Sequence, residues 1–254
     1  MLDYNSITKR LNSIRDVQVA LIERLESGHP IYMLQCGEGD KSVFLSAGMH
    51  GDEPAGVEAL LRFLELSGRK TGEGIKKWYD KYQFTIIPCI NPAGIEKGTR
   101  ENIKGVDLNR KFGGRAGKDT PEEVMIVQRA VEGKRFDLYI DFHEDIEGEG
   151  FYLYEILHKG GICIGEKIIA EMSTKYTIDL RDRIDGFNNC GGVICPQKEE
   201  KKFPIRRKDL PLPLYLYMKG TRYCITMESP TIFPWENRVA MHIKALEIAL
   251  TLMA

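Results

Sequence analysis

Apolar and polar positions change period several times along the chain, and each change marks an expected element boundary. Ile7, Leu11, Ile14, Val17, Leu21 and Leu25 fall three or four residues apart, which predicts one amphipathic helix over Tyr4 to Leu25. Ile31 to Gln35 and Val43 to Ala47 read as strands, the second apolar enough to be covered on both faces. A helix is expected from Pro54 to about Leu66, because proline has a fixed φ and no amide proton to lose in a first turn. The stretch GRKTGEG (68–74) reads as a loop. Phe84 to Ile90 then reads as a buried strand ending at Asn91-Pro92.

The second half continues the rhythm. Asp119 or Thr120 as N-cap, Pro121 at the first helical position and Glu122 and Glu123 in the first turn signal a helix that ends at Gly133. Phe136 to Phe142 reads as a strand delivering His143 at its carboxyl end, Phe151 to Ile156 as the next strand, and Ile162 to Met172 as a helix. Arg181 to Leu214 shows little periodicity and is expected to form long irregular loops, the kind that serve as lids or binding loops. Within it the basic run Lys198 to Lys208 is interleaved with Glu and reads as a solvated loop. Tyr223 to Met227 is expected as a strand ending at Glu228, and a helix from Trp235 to Met253 closes the chain. Strand, helix, strand predicts an α/β fold: one domain over residues 1–254, with a mixed, partly parallel twisted sheet flanked by helices on both faces.

Charge removes some functions from consideration. Lys plus Arg number 36 against 37 acidic residues, so there is no electrostatic case for nucleic acid or an anionic membrane, and any cationic role must be local. At 254 residues, 43% of them hydrophobic, the chain supports a sizeable core. No apolar run approaches the roughly 20 residues of a membrane span. The start MLDYNSITKRL lacks a basic region followed by an apolar one, so a cytoplasmic location is expected. The six cysteines form no Cys-x-x-Cys pair. Cys36, Cys89 and Cys224 sit in apolar strand-like runs, whereas Cys190 and Cys195 flank a glycine pair at a spacing open to a local bridge or to ligation.

Chemistry-bearing residues collect where strands end. His50 and Glu53, three apart in a turn after Val43 to Ala47, are the first candidate metal ligands. His143 and Glu228 follow two other strands, and the carboxyl edges of strands in an open α/β sheet line one crevice. Two histidines and a carboxylate supply three ligands and leave a fourth position for water, as a catalytic zinc site does. A nearby carboxylate such as Glu228 then takes the water's proton and hands it to a leaving amine. Between these lies NPAGIEKGTRENIKGVDLNRKF, dense in groups that recognise anions. Arg100 and Arg110 are permanently charged forks for a carboxylate or an oxyanion, Asn109 is a neutral donor, and Asp107 is placed to fix the tautomer of a ligand histidine. His29, His158 and His242 lack ligand-like neighbours, and Tyr152 and Tyr154 alternate as strand side chains in a core do.

In chain order, HGDE, GTRENxxGVDLNRxF, DFH and TMESP resemble the zinc carboxypeptidase superfamily, which includes peptidases and the aspartoacylase and succinylglutamate desuccinylase branch. The resemblance implies one zinc ion held by His50, Glu53 and His143, with Asp107 supporting His50. It further implies Arg100 polarising the scissile carbonyl, Asn109 and Arg110 gripping a terminal carboxylate, and Glu228 as general base and acid. The expected activity is hydrolysis of an amide next to a free carboxylate, releasing a C-terminal residue from a peptide. The alternatives are an N-acyl amino acid deacylase and a cell-wall peptide amidase. Against the deacylase, relatives of that type carry a substantial domain after the catalytic glutamate, where this sequence has 26 residues after Glu228. The sequence departs from the family in two ways. Glu144 and Asp145 follow the third ligand and predict an acidic subsite favouring cationic substrates. No motif identifies a substrate-capping tyrosine, for which Tyr215 and Tyr217 are only candidates.

Overall fold

The computed structural model describes residues 2–66, 74–113, 117, 119–158, 161–196 and 210–254. The expected loop at 68–74, save its last residue, and the basic run at 198–208 lie outside them. Ten strands among the described residues form one mixed sheet, in the order β1-β2-β4-β3-β5-β10-β6-β9-β8-β7. They are β1 (Gln18–Arg24), β2 (Pro30–Cys36), β3 (Lys41–Ala47), β4 (Tyr82–Ile87), β5 (Leu138–Asp145), β6 (Tyr152–Leu157), β7 (Arg183–Ile184), β8 (Phe187–Cys190), β9 (Val193–Ile194) and β10 (Tyr223–Pro230). The middle four, β4-β3-β5-β10, are mutually parallel, and antiparallel strands flank them on both sides.

Helices cover both faces, as expected. They are α1 (Tyr4–Ser13), α2 (Ala55–Glu65), α3 (Pro92–Lys97), α4 (Glu122–Ala130), α5 (Gly165–Met172), α6 (Leu212–Met218) and α7 (Trp235–Met253). On one face Leu45, Ile140, Leu153, Ile225 and Met227 pack against apolar residues of α1, α2, α5 and α7. On the other, Phe44, Tyr139, Ile156 and Cys224 pack against α4 and α6. Because successive strand residues point to opposite faces, Val43, Phe44 and Leu45 of β3 and Leu138, Tyr139 and Ile140 of β5 are consecutive apolar residues that serve both layers. No helix among the described residues is long and apolar enough to cross a membrane.

The first expected helix is corrected. Asp3 caps α1 by accepting the Ser6 N–H at 2.9 Å, and the helix buries Ile7 and Leu11, but Ile14 is already extended and Asp16 has φ +62°. Of the remaining apolar positions Leu21 lies in β1, where it pairs with Tyr32 as Val19 pairs with Leu34, and Val17 and Leu25 flank that strand. Their spacing matched a helical stripe because a short helix and an edge strand abut; the β-branched residues of VQVALI favour the strand.

Other boundaries move by a few residues. Helix α4 starts at Glu122 with Pro121 as its N-cap, β4 stops at Ile87, and β5 and β10 run past His143 and Glu228. Further elements lie where none was expected. Helix α3 follows Asn91, which caps Gly94; α6 begins just after Pro211; and β7 and β8 form a hairpin across Asp185-Gly186, both at positive φ. Helices of six or seven residues are too short to show a period in sequence.

Candidate metal centre and its cleft

The carboxyl ends of the parallel strands bring together what the sequence spreads over 179 positions, from His50 to Glu228. After β3 the chain turns through His50 and Glu53 before α2 begins. Gly51 is required there, since a Cβ on it would stand 1.9 Å from the Gly94 carbonyl carbon, so the turn packs backbone to backbone on α3. His50, Glu53 and His143 are all buried. Nδ1 of His50 lies 2.7 Å from Glu53 Oε1, Nδ1 of His143 lies 2.7 Å from Glu53 Oε2, and the rings are 4.9 Å apart.

Each imidazole is held from behind. His50 Nε2 stands 3.2 Å from Asp107 Oδ1, and His143 Nε2 stands 3.1 Å from Asp141 Oδ2. Asp141 is fully buried and also accepts the Ser46 hydroxyl at 2.6 Å, while Ser46 meets the Tyr139 hydroxyl at 2.7 Å. An Nε2–H donated to each aspartate leaves an Nδ1 lone pair on each ring facing an acceptor oxygen of Glu53. Acceptors facing each other at 2.7 Å call for a positive charge between them, and a divalent cation of the zinc class fits that donor set.

The electrostatics follow the same geometry. Burial alone would raise the Glu53 pKa, but His143 and His50 outweigh it and hold the carboxyl well below its usual range. Burial likewise acts against Asp107, where the hydrogen bond to His50 and the charge of Arg100 prevail and keep it low. Burial opposes charge on His143, yet Asp141 and Glu53 outweigh it and raise its pKa, so that a proton on Nδ1 can stand where a cation would otherwise lie between the ring and Glu53.

Glu228 sits beside His143 in the parallel β5–β10 pair and beside Tyr152 in the antiparallel pair. Burial raises its pKa well above the carboxylate range; His143 opposes the shift and Glu53, Asp145 and Asp185 add to it. It opens with His50, Glu53 and His143 into a cleft of about 820 Å³. Arg100, Asn109 and Arg110 line the same cleft. The Arg100 guanidinium lies 3.2 Å from Glu53 Oε1 and 3.3 Å from Asp107 Oδ2, beside the two histidines. Arg110 donates to the Asn109 carbonyl at 2.9 Å, and the Asn109 side-chain oxygen accepts the Leu212 N–H at 3.0 Å, joining this turn to α6.

The expectation for Glu144 is corrected. Next to His143 on a strand, it points to the opposite face, where its fully buried carboxylate pairs with Arg238 and accepts the Ala55 N–H at 2.7 Å. It therefore positions α2 rather than a substrate. Asp145 faces the cleft but is engaged by the Tyr152 hydroxyl at 3.0 Å and by Arg181 at 3.4 Å. Tyr152 and Tyr154, expected in the core, line the cleft, and Tyr154 donates to Asp185 at 2.7 Å. The available signal was their position on the strand paired to that of Glu228. Tyr215 packs on Phe112 and Tyr217 stacks on His158; neither lines the cleft.

Residues 39–179 match the succinylglutamate desuccinylase/aspartoacylase catalytic domain. The chain is 28% identical over 105 residues to human carboxypeptidase D, a match covering 37% of this chain and 8% of that protein. It is 37% identical over 75 residues to murein peptide amidase A of Escherichia coli, covering 28% of this chain and 26% of that protein. These matches span well under two thirds of either relative. In fold it is similar to a candidate metallopeptidase from Shewanella amazonensis, with a TM-score of 0.78 at 23% identity over 99% of this chain and 92% of that one.

Proposed function

The chain belongs to the succinylglutamate desuccinylase/aspartoacylase catalytic-domain family, and from that premise we propose that it is a zinc-dependent carboxypeptidase-type hydrolase that cuts an amide next to a free carboxylate. The observation that carries this reading is the convergence of two Nδ1 atoms and the Glu53 carboxylate on one point of a cleft that Glu228 and two arginines share. His50, Glu53 and His143 would hold the cation, which when bound supplies Lewis acidity toward the scissile carbonyl and the attacking water.

The remaining chemistry belongs to the chain's own side chains. Glu228 takes the proton from the attacking water and delivers it to the leaving amine, and a carboxyl whose pKa is raised by burial is suited to holding that proton between the steps. Arg100, beside Glu53, offers N–H groups to the oxygen on which negative charge develops. Arg110 takes the free carboxylate of the substrate. Asn109 spends its oxygen on Leu212, which leaves its NH2 to assist. The substrate is then a peptide with a free C-terminus, from which the terminal residue is released.

A second reading, deacylation of an N-acyl amino acid, is favoured by the family match itself and uses the same residues. Both require Glu228. The Glu228→Gln variant should keep its metal, measured by elemental analysis, and lose about 10²- to 10⁴-fold in turnover. Retained turnover in metal-loaded Glu228→Gln would overturn the proton-transfer role.

A further inference from the structure

Three side chains away from the catalytic cleft converge from separate parts of the chain. Glu155 of β6 is fully buried. Its carboxylate accepts the N–H of Ile164 at 2.9 Å and of Gly165 at 3.3 Å, at the start of α5, and the Cys163 thiol at 2.5 Å. The approach is close enough that a Cβ on Gly165 would stand 3.0 Å from Glu155 Oε2. Among the described residues no Lys, Arg or His pairs with this carboxylate. Its donors are two backbone N–H groups and a thiol, none of them charged.

Cys195, the residue after β9, brings a second sulfur. The Glu155 oxygen and the Cys163 and Cys195 sulfurs all lie within 4.8 Å of one another. Sulfur donors select soft, thiophilic cations over magnesium or calcium, and two sulfurs with one oxygen leave one tetrahedral position for solvent. The partial exposure of both cysteines gives solvent access to that position. The N–H groups of Ile164 and Gly165 already orient the carboxylate, as supporting hydrogen bonds do around a ligand. Cys190, which the sequence spacing associates with Cys195, is exposed on β8 and is not part of the group.

We propose that Glu155, Cys163 and Cys195 form a second metal site for a thiophilic divalent cation of the zinc and cadmium class. On binding, the two thiols release their protons to solvent and the cation takes their place between both sulfurs and the carboxylate. The site ties β6, the turn before α5 and the end of β9 together. Pro196, next to Cys195, lines the catalytic cleft, so the cation fixes one cleft wall. The proposal stands apart from the catalytic reading, and either can fail without the other.

Cobalt(II) added to the metal-free protein tests it, because thiolate ligation produces intense sulfur-to-cobalt charge-transfer absorption that histidine and carboxylate ligands do not. The His50→Ala/His143→Ala protein should still take up about one equivalent with that absorption. Cys163→Ser/Cys195→Ser should lose the absorption and about half of the bound metal while the cluster at His50 remains loaded. Absence of the absorption in the unsubstituted protein, a measurement that depends on no variant folding, would overturn the proposal. So would equal metal content in Cys163→Ser/Cys195→Ser, or thiol titration that finds residues 163 and 195 joined in a disulfide.

Discussion

Asp141 shows how much of a site a single buried side chain can carry. Its carboxylate touches His143 Nε2 and the Ser46 hydroxyl with no exposure to water, so it fixes which nitrogen of His143 faces Glu53. Asp141→Asn keeps the shape and removes the charge, and metal affinity measured by competition with a chelator should fall about 10- to 100-fold. Affinity within twofold of the parent would show that Asp141 is mere packing. The sequence made His50, Glu53, His143 and Glu228 legible as one cluster because each is a reactive residue type beside a strand end. Asp141 went unread although the signal was there: in a strand, residues two apart share a face, which places 141 with 143. The same alternation sends Glu144 to the opposite face, where it accepts the Ala55 N–H.

Between elements, what brings Glu53 to His143 is the close contact of α2 with β5. Gly56 lies against Phe142, and a Cβ there would stand 2.5 Å from the Phe142 Cβ. The helix can therefore sit low enough on the sheet for Glu53, just before it, to reach His143. Gly56→Ala should lift α2, destabilise the protein by about 1–3 kcal/mol in denaturant unfolding, and lower metal content in parallel. Unchanged stability would mean that the contact relaxes freely. Long elements were readable: α7 matches its expected span of Trp235 to Met253, and the parallel strands show as apolar runs. What differs is the single helix expected across α1 and β1: apolar residues of α1, of the turn at 14–17 and of β1 fall three or four apart although the backbone changes conformation between them. Helices α3 and α6 were hidden by their brevity, and both carry parts of the cleft into place: α3 supports the His50 turn and α6 anchors Asn109.

For the whole molecule, the sheet acts as a frame whose parallel strands aim a histidine, a second histidine and a glutamate at one edge, with cationic and acidic groups divided around them. Arg100 and Arg110 stand with the turns that follow α3, while Asp145 and Asp185 lie toward the β6 side of the cleft. On the proposed reading, a substrate would set its free carboxylate on the arginines with its amide beside Glu228. The most direct test is release of free amine from matched peptides and N-acyl amino acids, each offered with a free and with an amidated carboxyl group, to zinc-loaded and chelator-stripped protein. The account predicts release from free-carboxylate substrates alone, lost on stripping and restored by zinc. Equal cleavage of the amidated substrates, or undiminished release by the stripped protein, would contradict it.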